Sequence, residues 1–502
     1  MRWPKKAFVA ALPVWRIFPI FAALMLFIVV ILTYFGLLML FSRLTSRRAN
    51  NESFFRGDRR SRWYMVAFGM VGASISGVTY VSVPGMVLFS DMTYLQMCLG
   101  FIVGYILVAF VLLPVYYRLN LTTIYSYLLP RFGRRSYKTG SLFFILSKLV
   151  GASIRFYIAA FLLHRYIAGA VDLPFWITVL TMVGLIWLYT RRGGIRTLVS
   201  TDVVQTVVMF SSLLLIIYVV MQQLGLDFTG AVKAIAGDSH SRIFVFDDWF
   251  SRQNFWKQFL SGVFVVIVMT GLDQDMMQKN LTCKTLTDAQ KDMCTYGVAF
   301  VPANLLFLSL GVLLVLLTQK LGGQLPAVAD ELLPMYAASG QLGQGAMLLF
   351  LLGILSSAFS SADSAMTALT TTACVDIFEC PADERLRHRV HIGMAVLFAL
   401  FMLIFHAYGS ASVIDAIYTI CGYTYGPLLG LFAYGLFTRW CVCDRAVPYV
   451  CLLSPLSAWG VSWVALHCWG YRFGYELLLL NGILTFAGLW ISSAFARKVR
   501  EE

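Results

Sequence analysis

The sequence predicts an all-α, polytopic membrane protein of about 13 transmembrane helices, with a core of two groups of five. Three observations carry this. Of the 502 residues, 59% are apolar and only 13% charged, and mean hydropathy is +0.76, whereas a soluble domain has roughly 45–50% apolar and about 25% charged residues. Apolar windows separated by polar breaks recur along the whole chain. The middle windows then divide evenly about one long polar loop.

A spanning helix takes about 20 mostly apolar residues, so thirteen use roughly half the chain and leave little for a separate soluble domain. The windows fall at 16–42, 63–88, 92–118, 138–164, 173–190, 200–224, 254–278, 293–319, 344–376, 388–408, 410–437, 447–466 and 476–496. The first follows Arg2, Lys5 and Lys6. It is longer than a signal-peptide core and lacks a clear small-residue cleavage site, so it reads as a retained helix.

The net charge of +14 reads as topology, not as a nucleic-acid surface. With the N-terminus outside, 26 of the 39 basic residues fall in alternate segments that would all face the cytoplasm, seven of them in 43–62. Lys and Arg collect on that side, which favours an outside N-terminus, a cytoplasmic C-terminus and a place in the plasma (inner) membrane. The ten cysteines include no CxxC pair and the six histidines no HExxH. Neither a disulfide framework nor a zinc site is expected, and His388 and His391 read as solvated residues of a basic turn.

The predicted organisation is an N-terminal extra helix and basic loop (1–62), a first five-helix group (63–224), an outer loop (225–253), a second five-helix group (254–437) and two C-terminal helices with a short tail (438–502). An odd number of spans per group forces the groups into opposite orientations, the arrangement of an inverted-repeat transporter. Each group opens on an interrupted helix: Gly72-Ala73-Ser74-Ile75-Ser76-Gly77, ahead of Val78, Thr79 and Pro84-Gly85, in the first, and Met269-Thr270-Gly271 in the second. Unwound backbone at membrane depth exposes carbonyls that line a cavity or coordinate something; a glycine packing face is the other reading.

Ser357, Ser360, Ser361 and Ser364 share one face of the ninth window, continued by Thr367 and Thr371. Hydroxyl and carbonyl oxygens suit a small hard cation, while small residues also serve helix packing. Asp363 beside them needs a partner or a function at membrane depth. Asp202 reads either as a helix cap or as a stop on an ion path. Lys148 and Arg155 share a face of the fourth window. They point to an anionic solute, or to structural pairing with an aspartate, or to snorkelling of Lys148. Asp273 and Asp275, next to Lys279, read as interfacial ion pairs, and Asp415 stays ambiguous.

Four motifs in order resemble the sodium:solute symporter family, which includes sodium–sugar, sodium–proline, iodide and sialic-acid symporters. They are Gly193-Gly194 through Thr201-Asp202-Val203-Val204-Gln205, Asp273-Gln274 through Gln278-Lys279-Asn280-Leu281, Ser360-Ser361-Ala362-Asp363-Ser364 with Val375-Asp376-Ile377-Phe378, and Gly426-Pro427-Leu428-Leu429-Gly430. The resemblance covers about Arg43 to Phe437 and implies a leucine-transporter-like five-plus-five core. It implies a main sodium site from the carbonyls of Gly72, Ile75 and Ser357 and the hydroxyls of Ser360 and Ser361. It also implies a second sodium or ion path at Asp202, Asp363 and Ser364, and a solute site near Thr79 and Val266–Thr270. Met269 replaces the inner-gate tyrosine of the family's sugar transporters, which argues against a sugar.

The expected function is a sodium-coupled symporter importing a small polar or anionic solute by alternating access. Sodium is the coupling ion, with no other metal and no cofactor. Expected partners are the solute, sodium and membrane lipid, with no nucleic acid and no obligatory protein partner. The alternatives are a polytopic membrane enzyme of acyl- or glycosyl-transferase type and a transporter-like solute sensor. Against an enzyme stand the scattered histidines and an outer loop without a nucleophile pattern.

Overall fold

The computed structural model describes residues 14–501 except 48, 167–172, 250, 339, 409–412, 472 and 475. Side chains are described from residue 29, but not for 413–419 (which include Asp415) or 495–501. A helix lies on every predicted window. In chain order these are α1 (Val14–Thr45), α2 (Trp63–Ser74), α3 (Gly77–Ser90), α4 (Tyr94–Arg118), α5 (Arg134–Tyr166), α6 (Phe175–Thr190), α7 (Ile195–Leu224) and α8 (Phe255–Gly271). There follow α9 (Gln274–Asn280), α10 (Leu286–Lys320), α11 (Gln344–Ile377), α12 (Glu384–Tyr408), α13 (Val413–Phe437), α14 (Val447–Trp469) and α15 (Leu477–Glu501). Among the described residues nine helices are long and apolar enough to cross a membrane, or 11 when the bent pairs α2–α3 and α8–α9 each count as one span; Val29–Thr45 and α6 are shorter apolar helices.

Both interrupted helices are broken, each at the start of its group of five. α2 and α3 meet at 63°. Ile75 leaves helical geometry (φ −82, ψ 88) and Ser76, extended at φ −76, ψ 171, caps the next helix. α8 and α9 meet at 71°, but the break falls after the expected Met269-Thr270-Gly271. Those residues belong to a π turn, Ile267–Gly271. The chain turns at Leu272 and Asp273 instead, because the Asp273 carboxylate accepts from the Asp275 amide at 2.9 Å and starts a new helix.

All seven residues of α9 are buried, and polar bonds hold them from several sides. Tyr116 and Tyr125 donate to the carbonyls of Gly271 and Leu272 at 2.9 and 2.8 Å, satisfying backbone freed at the break. Gln274 accepts from the Ile124 amide at 2.9 Å, and Gln278 donates to Phe55 O and Thr371 Oγ1, both at 2.9 Å.

Elsewhere glycines set the packing. A Cβ on Gly100 of α4 would lie 2.1 Å from the Phe259 carbonyl of α8, and one on Gly262 of α8 would lie 2.3 Å from the Met97 carbonyl of α4. The two helices touch backbone to backbone, as small residues permit. Gly85 of α3 likewise sits under Ala329, whose carbonyl would lie 1.8 Å from an added Cβ. The central α11 is anchored by Phe359, edge-on to Phe35 of α1 at 4.8 Å and Phe156 of α5 at 5.2 Å.

His391 is not a solvated turn residue. α12 begins at Glu384, which carries His391 into the bundle, where Thr190 meets its Nε2 at 2.9 Å and Thr370 its Nδ1 at 2.8 Å.

Candidate functional site

The two breaks open onto one cavity of about 160 Å³. Ser74, Ser76 and Thr79 from the first break and Val266, Met269 and Thr270 ahead of the second line it, with Lys148 and Arg155 from α5 and Ser361 from α11. A polar wall that the sequence did not suggest completes it. Tyr296 of α10 shares a hydrogen bond with Ser74 and receives one from Tyr105 at 2.7 Å.

The first break leaves two carbonyls without helical partners. In a continuous helix the Ser76 amide would bond to Gly72 O and the Thr79 amide to Ile75 O. Here the Ser76 amide turns to Ser74 O at 3.2 Å and the Thr79 amide to the Ser76 hydroxyl at 3.5 Å. The break faces α11, since a Cβ on Gly77 would stand 3.2 Å from the Ala358 Cβ. On that turn of α11, Ser357 and Ser361 donate back to Ile354 O at 3.0 Å and Ala358 O at 3.3 Å. Their oxygen lone pairs remain open to a ligand.

Ser360 donates instead to α7, to Asp202 Oδ1 at 2.7 Å, and its oxygen lone pairs also stay open to a ligand. Asp202 is not a helix cap: α7 begins at Ile195, with Gly194 at φ +48 before it, so the carboxylate lies two turns inside. Its second oxygen pairs with Lys279 Nζ at 2.7 Å. Asp363 accepts from Tyr189 at 2.6 Å and from Ser364 at 3.3 Å, and Ser364 also donates to Ser360 O at 2.9 Å. Ser360 therefore joins the positions implied for the main sodium site to those implied for the second. Lys279 was missed as a member of this cluster, because its partner lies in the other group of five.

Asp273 and Asp275 are not interfacial, and Lys279 is not their partner. Both are buried and share Lys148, at 2.9 and 2.6 Å, while Tyr425 donates to Asp273 Oδ2 at 2.8 Å. Lys148 thus lines the cavity as a neutralised cation. Arg155, two turns along the same helix, is half-buried; its Nε donates to Gly151 O at 3.2 Å, and it has no carboxylate partner among the described residues. Asp273 and Asp275 line the cavity as well, so its two cations are formally balanced by two carboxylates, and Arg155 is the cation with no carboxylate in direct contact among the described residues.

The family model of the sodium:solute symporter family matches residues 54–444. The human sodium/iodide cotransporter is 28% identical over 426 residues, covering 81% of this chain and 64% of that protein, so this chain spans less than two thirds of that relative's length. The sodium/sialic acid symporter NanT of Aliivibrio fischeri is 24% identical over 483 residues, covering 91% of this chain and 92% of that one. A solved Na+-coupled sialic acid symporter, in a substrate-bound outward-open state, superposes with a TM-score of 0.79 at 20% identity over 95% of this chain and 97% of that one. The fold is shared along nearly the whole length, and with the family match covering more than three quarters of the sequence, the chain belongs to the sodium:solute symporter family.

Proposed function

We propose that the chain is a sodium-coupled symporter that carries a small anionic solute across the plasma membrane by alternating access. The observation that carries this reading is the broken α2–α3 helix. It leaves the carbonyls of Gly72 and Ile75 without their helical amide donors, at a break that packs against α11 beside a cavity lined by Ser361 and Arg155. Carbonyl and hydroxyl oxygens replace the water of a small hard cation, so sodium would sit among Gly72, Ile75, Ser357, Ser360 and Ser361. The solute would lie beside it, with Thr79, Val266, Met269 and Thr270 around it and its charge on Arg155. Lys148 positions α5 against Asp273 and Asp275 instead of reading the solute.

Iodide, sialic acid and the monocarboxylates named for relatives are all anions, which supports an anionic class here. Those relatives are transporters, which supports transport over an enzyme or a sensor. Sodium entering along the potential gains about 2.3 kcal/mol per 100 mV, and coupling requires that it raise solute affinity, and the reverse.

The test is uptake of radiolabelled iodide, sialic acid and short monocarboxylates into proteoliposomes holding the purified chain, with an inward sodium or choline gradient. At least one anion should accumulate only with sodium, and Ser360→Ala with Ser361→Ala should abolish that stimulation while the protein still inserts. Equal uptake in choline, or undiminished stimulation in the variant, would contradict the reading.

A further inference from the structure

A second cavity, of about 180 Å³, lies between the ends of α1 and α6, away from the central one. It opens at the face of the bundle that carries the arginine-rich segments 43–62 and 191–196. Arg43 reaches it from α1, and Arg191 and Arg192 from the turn after α6. No carboxylate lines it, and none of the three guanidinium groups has an ion pair or side-chain hydrogen bond among the described residues. Three like charges around one space repel each other until an anion enters, and a guanidinium fork fits phosphate oxygens.

The rest of the lining is Ser42, Ser46 and Tyr189 on the inner side and the apolar Met39 and Leu188, of which Leu188 is exposed. Met39 and Leu188 form the wall towards the bilayer, beside the exposed Leu40 and Leu44. Trp187 lies beneath Arg191, ring centroid to guanidinium 5.1 Å, a pairing suited to the headgroup level. A soluble anion would use only the polar part of this lining, whereas a phospholipid uses the apolar part as well.

We propose that this cavity binds the phosphate of an anionic phospholipid headgroup, held by Arg43, Arg191 and Arg192, with the acyl chains along Met39 and Leu188. Juxtamembrane arginines each raise affinity for anionic lipid about fivefold, so three give on the order of a hundredfold. The site also touches the ion cluster. Tyr189 lines the cavity, its carbonyl accepts from Ser42 of α1 at 2.6 Å, and its hydroxyl donates to Asp363 at 2.6 Å. A bound headgroup therefore fixes α1, which lies outside both groups of five, onto the helix that orients Asp363.

The test measures lipid retention by native mass spectrometry, using the full chain extracted from phosphatidylcholine vesicles with and without phosphatidylglycerol. The wild type should keep phosphatidylglycerol in preference to phosphatidylcholine. Arg43→Gln with Arg191→Gln and Arg192→Gln should lose that preference at least tenfold, and the matching triple lysine variant should keep most of it. If the triple glutamine variant does not fold, Arg192→Gln alone carries the test with about a fivefold loss. Equal retention by folded glutamine variants would overturn the site. Displacement of the lipid by millimolar inorganic phosphate would reassign the arginines to a free anion and overturn the lipid.

Discussion

The ammonium of Lys279 lies 2.7 Å from Asp202 Oδ2, and each side chain is only 1% exposed. The pair joins α9, the short half-helix of the second group of five, to α7 of the first. Removing one member of a buried pair strands the other charge and costs about 3–5 kcal/mol. Lys279→Met should therefore lower the detergent melting temperature sharply. Lys279→Met combined with Asp202→Asn should recover a large part of the loss, because neither member of the pair is then left alone. Losses that simply add in the double variant would mean the two groups are not coupled.

Lys148 and Arg155 should separate by phenotype. Lys148 is satisfied by two buried carboxylates, so Lys148→Met should reduce the folded yield. Arg155 lines the cavity with no carboxylate in direct contact among the described residues, and a hydrogen bond to a charged group contributes about 1.5–3 kcal/mol. Arg155→Gln should raise the uptake KM for an anion roughly 10- to 100-fold with near-normal yield, and Arg155→Lys should recover part of it. An unchanged KM in a well-folded Arg155→Gln protein would remove the anion-binding role.

The serines of α11 should also differ among themselves. Ser361 offers a side-chain oxygen at the cavity, so Ser361→Ala should raise the sodium concentration for half-maximal uptake about fivefold or more, the loss of roughly 1 kcal/mol. Ser357 would contribute its carbonyl, which alanine keeps, so Ser357→Ala should change sodium dependence by less than about twofold. Equal effects of the two substitutions would refute this division of ligands.

What the sequence made legible followed from local chemistry. Long apolar runs located the long helices, though not the short ones at Asn51–Arg56, Phe228–Gly237 and Leu332–Ala338, and the small, polar run from Gly72 to Gly77 located the first break. The second break was placed too early, since it depends on Asp273 capping α9, and composition does not say which carboxylate will do so. The serine face was legible from its spacing, but the direction of Ser360 towards Asp202 depends on how α7 packs on α11. The partners of Lys148, Lys279 and His391 were not legible either, because each lies on a distant helix. A charge in an apolar segment signals that a partner exists without naming it.

At the arginine-rich end, Glu379 ties α5 to the segment after α11, with Lys138 at 2.6 Å and Arg134 at 3.0 Å. The hydrogen bond from Lys138, with the further help of Arg134, holds the Glu379 carboxyl below the usual carboxylate range. A depressed folded value stabilises the protein above the unfolded value of about 4.3. That contribution is lost as pH falls through the folded value. The melting temperature of wild type should therefore exceed that of Glu379→Gln at neutral pH, and the gap should close below about pH 4.3. A gap independent of pH would show that the carboxylate charge contributes nothing.

The close approach of α4 and α8 at Gly100 and Gly262 offers a test of how the two groups of five are held together. Each glycine faces a carbonyl of the opposite helix, Phe259 O at 2.1 Å and Met97 O at 2.3 Å from the position a Cβ would take. The obstructing atoms are backbone and cannot rotate aside, so a methyl group at either site must push α4 and α8 apart. Overpacking of this kind costs about 1–3 kcal/mol. Gly100→Ala should lower the melting temperature, and adding Gly262→Ala should lower it by less than a second full increment, because the first methyl has already separated the helices. Gly184, with nothing within 4 Å of an added Cβ, is the control, and Gly184→Ala should leave the melting temperature unchanged or raised. If Gly100→Ala is tolerated as well as Gly184→Ala, α4 and α8 do not need this close approach.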